Sequence, residues 1–316
     1  MKLENLFSLY QKHQILRPKT ISHYQDVVNL LMKFVGRDPH LDELTVDLLL
    51  DFRKHVLSKC SAVTFNNYRR HLSALFNFAV RHGHMPKNPF TDVKAAPVPR
   101  RKPKTIPIDS LQEIINFLAK SGDKYDEDAF SKATLSPRWF WLIVIKTFYY
   151  SAIRRRQLIE LRLKDINFED RLIRLRSEGS KTLREWDIPL PEALVEDLKF
   201  LQAKVVEKLG RYDEDQQLFC YPLLSNKPER FGTKEMTVEH VANGFKRLSG
   251  LVERRVSAHR IRHTTATELT RKTENIRLVQ EILGHTDLRT TFIYVEPEIG
   301  QMRSLMGGMR ELVSEL

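Results

Sequence analysis

Cysteine, glycine and long apolar runs are all scarce in this chain, and each scarcity excludes something. Its 316 residues include 2 cysteines and 12 glycines. Cys60 and Cys220 stand far apart in sequence, so they offer neither a disulfide framework nor metal-ligand spacing. They read as ordinary thiols of a reducing cytoplasm. No apolar run approaches the length that spans a bilayer, and no charged-then-apolar leader opens the sequence. No membrane partner is expected, and the protein should stay in the compartment where it is made.

What is present is ordinary in amount and uneven in placement. Apolar residues make up 41% and charged residues 29%, a soluble composition able to bury sizeable cores. A chain of this length favours two domains. The net charge is +12, and most of it is carried early. Residues 1–104 hold 18 Lys and Arg against 8 Asp and Glu, whereas residues 105–316 hold 34 against 32. A basic domain joined to a near-neutral larger one points to a polyanion held by the first. Charge alone does not separate DNA from RNA or an acidic surface.

Residues 1–92 read as a small helical bundle. Residues 18–35 begin with Pro18 and place Ile21, Tyr24, Val27, Val28, Leu31 and Phe34 at spacings of three and four. Residues 46–58 and 63–82 repeat that pattern, the last ending at Gly83 and Pro86. Arg69 and Arg70 are among the cations on these helices. Residues 93–107 hold Pro97, Pro99, Pro103 and Pro107 with Arg100, Arg101, Lys102 and Lys104 between them. This is an extended basic connector suited to lie along phosphates.

The second domain, 108–296, opens with Asp109 as a helix N-cap. Residues 121–137 read as a polar loop insertion. A buried apolar helix with Phe140, Trp141, Ile143, Val144 and Phe148 runs towards Arg154. Two short strands follow, one with Leu172, Ile173 and Leu175, the other with Trp186 and Ile188. The remainder reads as helical over 191–209, 237–249, 258–271 and 274–283, with a short segment ending at Tyr294. A tail, 297–316, carries Met302, Leu305, Met306, Met309 and Leu312 at helical spacing. That stripe suits packing on its own core or exchange between protomers.

Two segments carry candidate chemistry. In SAHRIRH, His259 and Arg262 are three apart on a helix and share one face, so both can donate to one phosphate. In ILGHTDLRTTFIY, Gly284 ends a helix, His285 follows, Thr286 is placed to cap a new short helix, and Tyr294 lies nine residues after His285. Taken singly, each of these residues is more simply structural.

Taken together, the two segments resemble the C-terminal signature of the tyrosine recombinase (phage integrase) family: a His-x-x-Arg box, Leu-Gly-His, then a nucleophilic tyrosine. The resemblance places the family's first arginine at Arg154, in SAIRRRQL, and its hairpin lysine at Lys181, eight residues before Pro189 in Ile188-Pro189-Leu190. It covers both domains, to about residue 296. Departures surround Arg154. Ser151-Ala152 replaces Thr-Gly, Ile153 replaces Leu, and Gln157 replaces Glu, which removes an ion pair that could brace the loop.

The implied fold is mainly α with a small β-sheet in the catalytic domain, behind an N-terminal SAM-like core-binding bundle. The implied activity is site-specific strand exchange through a 3′-phosphotyrosyl intermediate and a Holliday junction. Arg154 and Arg262 would clamp the nonbridging oxygens, His259 would add a donor and accept the Tyr294 proton, Lys181 would protonate the leaving oxygen, and His285 would orient the phosphate or the tyrosine. Such chemistry needs no cofactor and no metal. The implied partners are double-stranded DNA and three further copies of the chain on paired sites, with the need for an accessory directionality factor left open. A mobile element is the implied setting, and a cytoplasmic, nucleoid-associated place follows. Two alternatives stay open: a type IB topoisomerase-like enzyme, and a non-catalytic DNA-binding protein.

Overall fold

The computed structural model describes residues 1–99, 103–120, 135–179, 184–225, 228–230, 235–295 and 299–308. The chain divides into two compact units, Met1–Arg101 and Lys102–Leu316.

In the first unit, α1 (Leu3–His13), α2 (Pro18–Val35), α3 (Val46–Leu57) and α4 (Ala62–Arg81) form a helical bundle. Their bounds follow from local chemistry. Pro18 opens α2, where its missing N–H costs nothing. The Thr45 and Ser61 hydroxyls accept from the backbone N–H groups of Leu48 and Thr64, capping α3 and α4. The apolar stripes meet in a core that fully buries Phe7, Phe52, Phe65, Phe76, Phe78 and Phe90. Each such side chain contributes about 1.5–3 kcal/mol relative to exposure.

The second unit starts with α5 (Ile108–Lys120). Asp109 lies inside its first turn and not at the N-cap, a correction to the expected start; Pro107 supplies the carbonyl that takes the Leu111 N–H. A carboxylate there still suits the positive end of the helix. The expected loop at 121–137 falls mostly outside the described residues. Next come α6 (Arg138–Ser151) and α7 (Arg155–Glu160). α6 is apolar nearly all round and is buried accordingly: Phe140, Val144, Ile145 and Phe148 have no exposure.

Strands β1 (Ile166–Asn167), β2 (Leu172–Leu175) and β3 (Trp186–Pro189) make an antiparallel sheet in that order. Ile173 pairs with both Ile166 and Ile188, which fixes one apolar face inward. On the other face Arg174 donates to Asp187 at 3.2 Å. The first strand was not expected, since two residues carry no readable alternation. α8 (Glu192–Leu209), α9 (Tyr221–Leu224), α10 (Val238–Leu251), α11 (Ala258–Lys272), α12 (Ile276–Leu283), α13 (Arg289–Phe292) and α14 (Ile299–Gly307) complete the unit. The fold is therefore mainly helical with a small sheet, as expected. No helix among the described residues is long and apolar enough to cross a membrane. Both cysteines are free thiols.

Candidate active site

Four segments meet around the Tyr294 side chain: the turn between α6 and α7, the first half of α11, the end of α12, and the segment after α13. The turn begins where α6 stops. Ala152 takes a left-handed conformation, φ +52°, and its N–H still donates to the Phe148 carbonyl at 3.1 Å. An alanine therefore does the work the family usually gives to glycine, at a cost of about 1–2 kcal/mol. Arg154 sits just before α7. The Gln157 side-chain oxygen accepts from the Arg154 backbone N–H at 2.7 Å, so a neutral glutamine braces this loop without an ion pair. The Arg154 guanidinium reaches the Gly284 carbonyl at 3.5 Å.

α11 starts under a Ser257 cap and buries Arg262 almost completely, to 4% exposure. An arginine so placed needs acceptors, and it has three. Its two terminal nitrogens donate to the Ala152 carbonyl, to the Leu283 carbonyl at 2.7 Å and to His285 Nε2 at 3.1 Å. Arg262 thus ties the end of α6 to the end of α12. Burial, and then the neighbouring Arg154 charge, bring its pKa down to about 9, so it stays cationic at neutral pH. Arg154 is lowered too, by burial.

His285 leaves α12 through Gly284, which holds φ +59°. Its ring is fixed at both nitrogens. Because Arg262 donates to Nε2, that atom carries the lone pair, so Nδ1 carries the proton and donates to Thr291 Oγ at 2.9 Å. Burial, then the charges of Arg262 and Arg154, push its pKa down to about 4, and the ring is neutral. Gln280 fixes the backbone of the same residue by donating to the His285 carbonyl at 2.8 Å. The short helix α13 does not start under Thr286: its N-cap is Leu288, which offers no side-chain cap, and the Asp287 carboxylate beside it accepts from the Arg289 N–H at 2.9 Å. This corrects the expected Thr286 cap.

Tyr294 is 3% exposed and packs with Ala152, Ala266, Val279 and Leu283. Its ring stacks beside His285, centroids 6.3 Å apart and planes 14° apart. Burial raises the hydroxyl pKa, while Arg262 and Arg154 pull against that rise. The hydroxyl is hydrogen-bonded to Nδ1 of His263 at 2.9 Å.

The structure therefore brings together Arg154, Arg262, His285 and Tyr294 of the expected set. His259 lies on the same helix but is exposed, and its ring meets that of His263, centroids 4.0 Å apart. Lys181 lies outside the described residues, as do Arg100, Arg101 and Lys102. Sequence reading passed over His263, although it follows Arg262 directly and stands four residues after His259, the spacing that shares a helix face. Among the expected phosphate-facing cations, Arg70 and Lys104 are exposed. Arg69 departs from expectation: its guanidinium turns inward and donates to the carbonyls of Val93 and, at 3.2 Å, Phe90. Among the described residues no group of three or more His, Cys, Asp or Glu is placed to hold a metal ion.

A buried tyrosine flanked by two arginines and two neutral histidines, on this helical framework, defines the class. Residues 105–299 match the model of the phage integrase family, and residues 5–95 match that of the phage integrase SAM-like domain. The chain belongs to the tyrosine recombinase (phage integrase) family. It is 32% identical, over 309 residues, to a Pseudomonas syringae protein named for tyrosine recombinase XerC; the match covers 97% of this chain and 64% of that relative. The chain thus spans just under two thirds of that relative's length. Among solved structures, the Tn1549 transposon integrase in complex with circular intermediate DNA superposes with a TM-score of 0.73 at 18% identity, covering 97% of this chain and 99% of that one. A lambda integrase tetramer bound to a Holliday junction superposes at 0.68 and 19% identity, covering 94% and 78%. At these identities the structural likeness establishes the fold.

Proposed function

We propose that the protein is a site-specific DNA recombinase that cuts and rejoins strands through a 3′-phosphotyrosyl intermediate on Tyr294. One observation carries the reading: Tyr294 is buried, 3% exposed, and the positive charges of Arg262 and Arg154 act on its hydroxyl. A phosphodiester under in-line attack builds negative charge on its nonbridging oxygens. Fixed cations in a site of low dielectric stabilise that charge selectively. Arg154 and Arg262 take that role, His259 adds a donor from the exposed side of α11, and His285 orients the tyrosine. Lys181 protonates the departing 5′ oxygen. The covalent link conserves the phosphodiester energy, so rejoining needs no ATP.

The basic first unit and the connector, through Arg70, Arg100, Arg101, Lys102 and Lys104, hold duplex DNA by its phosphates. Four copies act on paired sites through a Holliday junction, the assembly in which lambda integrase has been solved. The element served is a mobile one.

Covalent trapping tests the reading. Nicked duplexes tiled across the DNA flanking the gene are incubated with the protein and resolved on a denaturing gel. A shifted band from the wild type, absent from Tyr294→Phe, is the expected result. Binding to one duplex without any adduct would overturn the reading in favour of a non-catalytic DNA-binding protein.

A further inference from the structure

We propose that Gly179 is a positioning residue of the strand-transfer site. Because it lacks a side chain, the chain leaving β2 rests on the backbone of Gln157, and Gln157 in turn fixes Arg154. This rests on the recombinase reading above and deepens it, by adding a residue that touches no reacting atom.

Gly179 closes the single 3-10 turn Ser177–Gly179 that follows β2, and it is buried. A Cβ built on it would lie 2.9 Å from Gln157 Cα, 3.1 Å from Gln157 Cγ and 3.2 Å from Gln157 N. Two of those three atoms are backbone, so no change of rotamer relieves the overlap. Gly179 is not among the glycines with a left-handed backbone, so its requirement is for space alone. The chain on the Gly179 side is pinned. Ile173 and Leu175 of β2 lie in the core, and Arg176 donates to the buried Asp165 carboxylate at 2.6 Å. A side chain at 179 therefore presses on Gln157.

The other side of the contact is the Arg154 turn. Gln157 is 2% exposed, and its Oε1 accepts from the Arg154 N–H at 2.7 Å. Its Nε2 has no hydrogen-bond partner among the described residues. One hydrogen bond and close packing hold the carboxamide, and Gly179 supplies part of that packing. When the Gln157 backbone shifts, the carboxamide shifts with it, and the Arg154 main chain loses its fixed point. The guanidinium, whose hydrogen bond to the Gly284 carbonyl spans 3.5 Å, is then free to follow. Misplacing a catalytic group by about 1 Å costs up to about 10²-fold in rate.

The experiment measures adduct formation by the full chain on the nicked duplex that traps Tyr294, at saturating duplex. Gly179→Ala should slow the reaction by about 10–10²-fold. Gln157→Ala cuts the same link from its other end without overpacking, and should slow it by a similar factor. It keeps the test open if the overpacked variant folds poorly. The decisive readout is a cycle with Arg154→Ala. In that background neither substitution should slow the remaining reaction by more than about twofold, because the group they act through is gone. A general loss of folded protein would slow both backgrounds alike. Equal slowing with and without Arg154, or a wild-type rate in either single variant, would overturn the assignment while leaving the recombinase reading intact. So would full recovery of Gly179→Ala on a duplex with sulfur at the bridging 5′ position. A thiolate leaves without a proton, so recovery would place the damage at the leaving group and not at Arg154. Absence of any Tyr294-dependent adduct from the wild type would overturn both readings.

Discussion

Trp186 packs directly onto Gly284: a Cβ built on that glycine would lie 2.1 Å from the indole Cζ2. β3 is thereby seated on the loop that carries His285. A second tie runs beside it, from Arg184 to Glu281 on α12 at 2.7 Å, with the Arg184 guanidinium 5.8 Å from the Trp186 ring centroid. The strand leading back to the hairpin and the end of α12 are held as one surface, so a change at Gly284 is felt on both.

Gly284→Ala should therefore be costly for two separable reasons. The left-handed conformation penalises a Cβ by about 1–2 kcal/mol, and overpacking against the indole adds about 1–3 kcal/mol. Trp186→Ala removes the second cost only. A double-mutant cycle read by urea unfolding should show the two substitutions coupled by at least about 1 kcal/mol. Strict additivity would mean that the two side chains do not share this contact.

Arg154 and Arg262 should separate stability from chemistry. Arg262 donates to two backbone carbonyls and a histidine inside the protein. Hydrogen bonds from a charged donor contribute about 1.5–3 kcal/mol each, so Arg262→Ala should cost roughly 3 kcal/mol or more in unfolding free energy. Among the described residues the Arg154 guanidinium makes one long hydrogen bond, 3.5 Å to the Gly284 carbonyl, and its charge opposes that of Arg262. Arg154→Ala should leave the melting temperature within a few degrees, or raise it. Both should lower the rate of adduct formation by about 10²–10³-fold. A collapse of stability in Arg154→Ala would contradict this division of labour.

Three histidines set an acid limit on the second unit. Burial lowers the pKa of His240, and burial together with neighbouring positive charge brings His263 and His285 to about 4. In the unfolded chain all three bind protons as the pH drops below about 6.5. Between that value and 4 the unfolded state binds more protons than the folded one. Stability is then complete above about pH 6.5 and falls as the pH drops towards 4. Each fully shifted histidine adds a slope of about 1.4 kcal/mol per pH unit. The slope measured by chemical unfolding between pH 6 and pH 5 should shrink by about that amount in His285→Asn. An unchanged slope would show that His285 is not held neutral.

Much of this was legible in the sequence because the signals are local. Apolar spacing placed α2, α3 and α4 within a residue of their ends, and Pro18 and Gly284 marked true boundaries. Arg154, Arg262, His285 and Tyr294 could be named because the family's spacings are rigid. What was not legible depends on the third dimension. Nothing in the spacing says that Arg69 turns inward to the Val93 carbonyl, that Trp186 reaches Gly284, or that Gln157 substitutes a hydrogen bond for an ion pair. His263 lay between: the helix period put it on the face of His259, but only the fold brings Tyr294 to it.

Arg69 and Arg70 are adjacent in sequence and should behave as opposites. Arg70 is exposed on α4, while Arg69 bridges two carbonyls of the segment that follows that helix. Losing a phosphate contact weakens DNA binding at every sequence and reduces the slope of log K against log salt by about 0.9. Arg70→Ala should show that change with an unaltered melting temperature. Arg69→Ala should do the reverse, because the carbonyls of Phe90 and Val93 lose a charged donor whose two hydrogen bonds contribute about 1.5–3 kcal/mol each. The assay is equilibrium binding to a duplex across a salt series, beside thermal unfolding of each variant. A salt slope that falls in Arg69→Ala and not in Arg70→Ala would place the phosphate contact on the wrong residue and would mean that α4 meets DNA with its other edge.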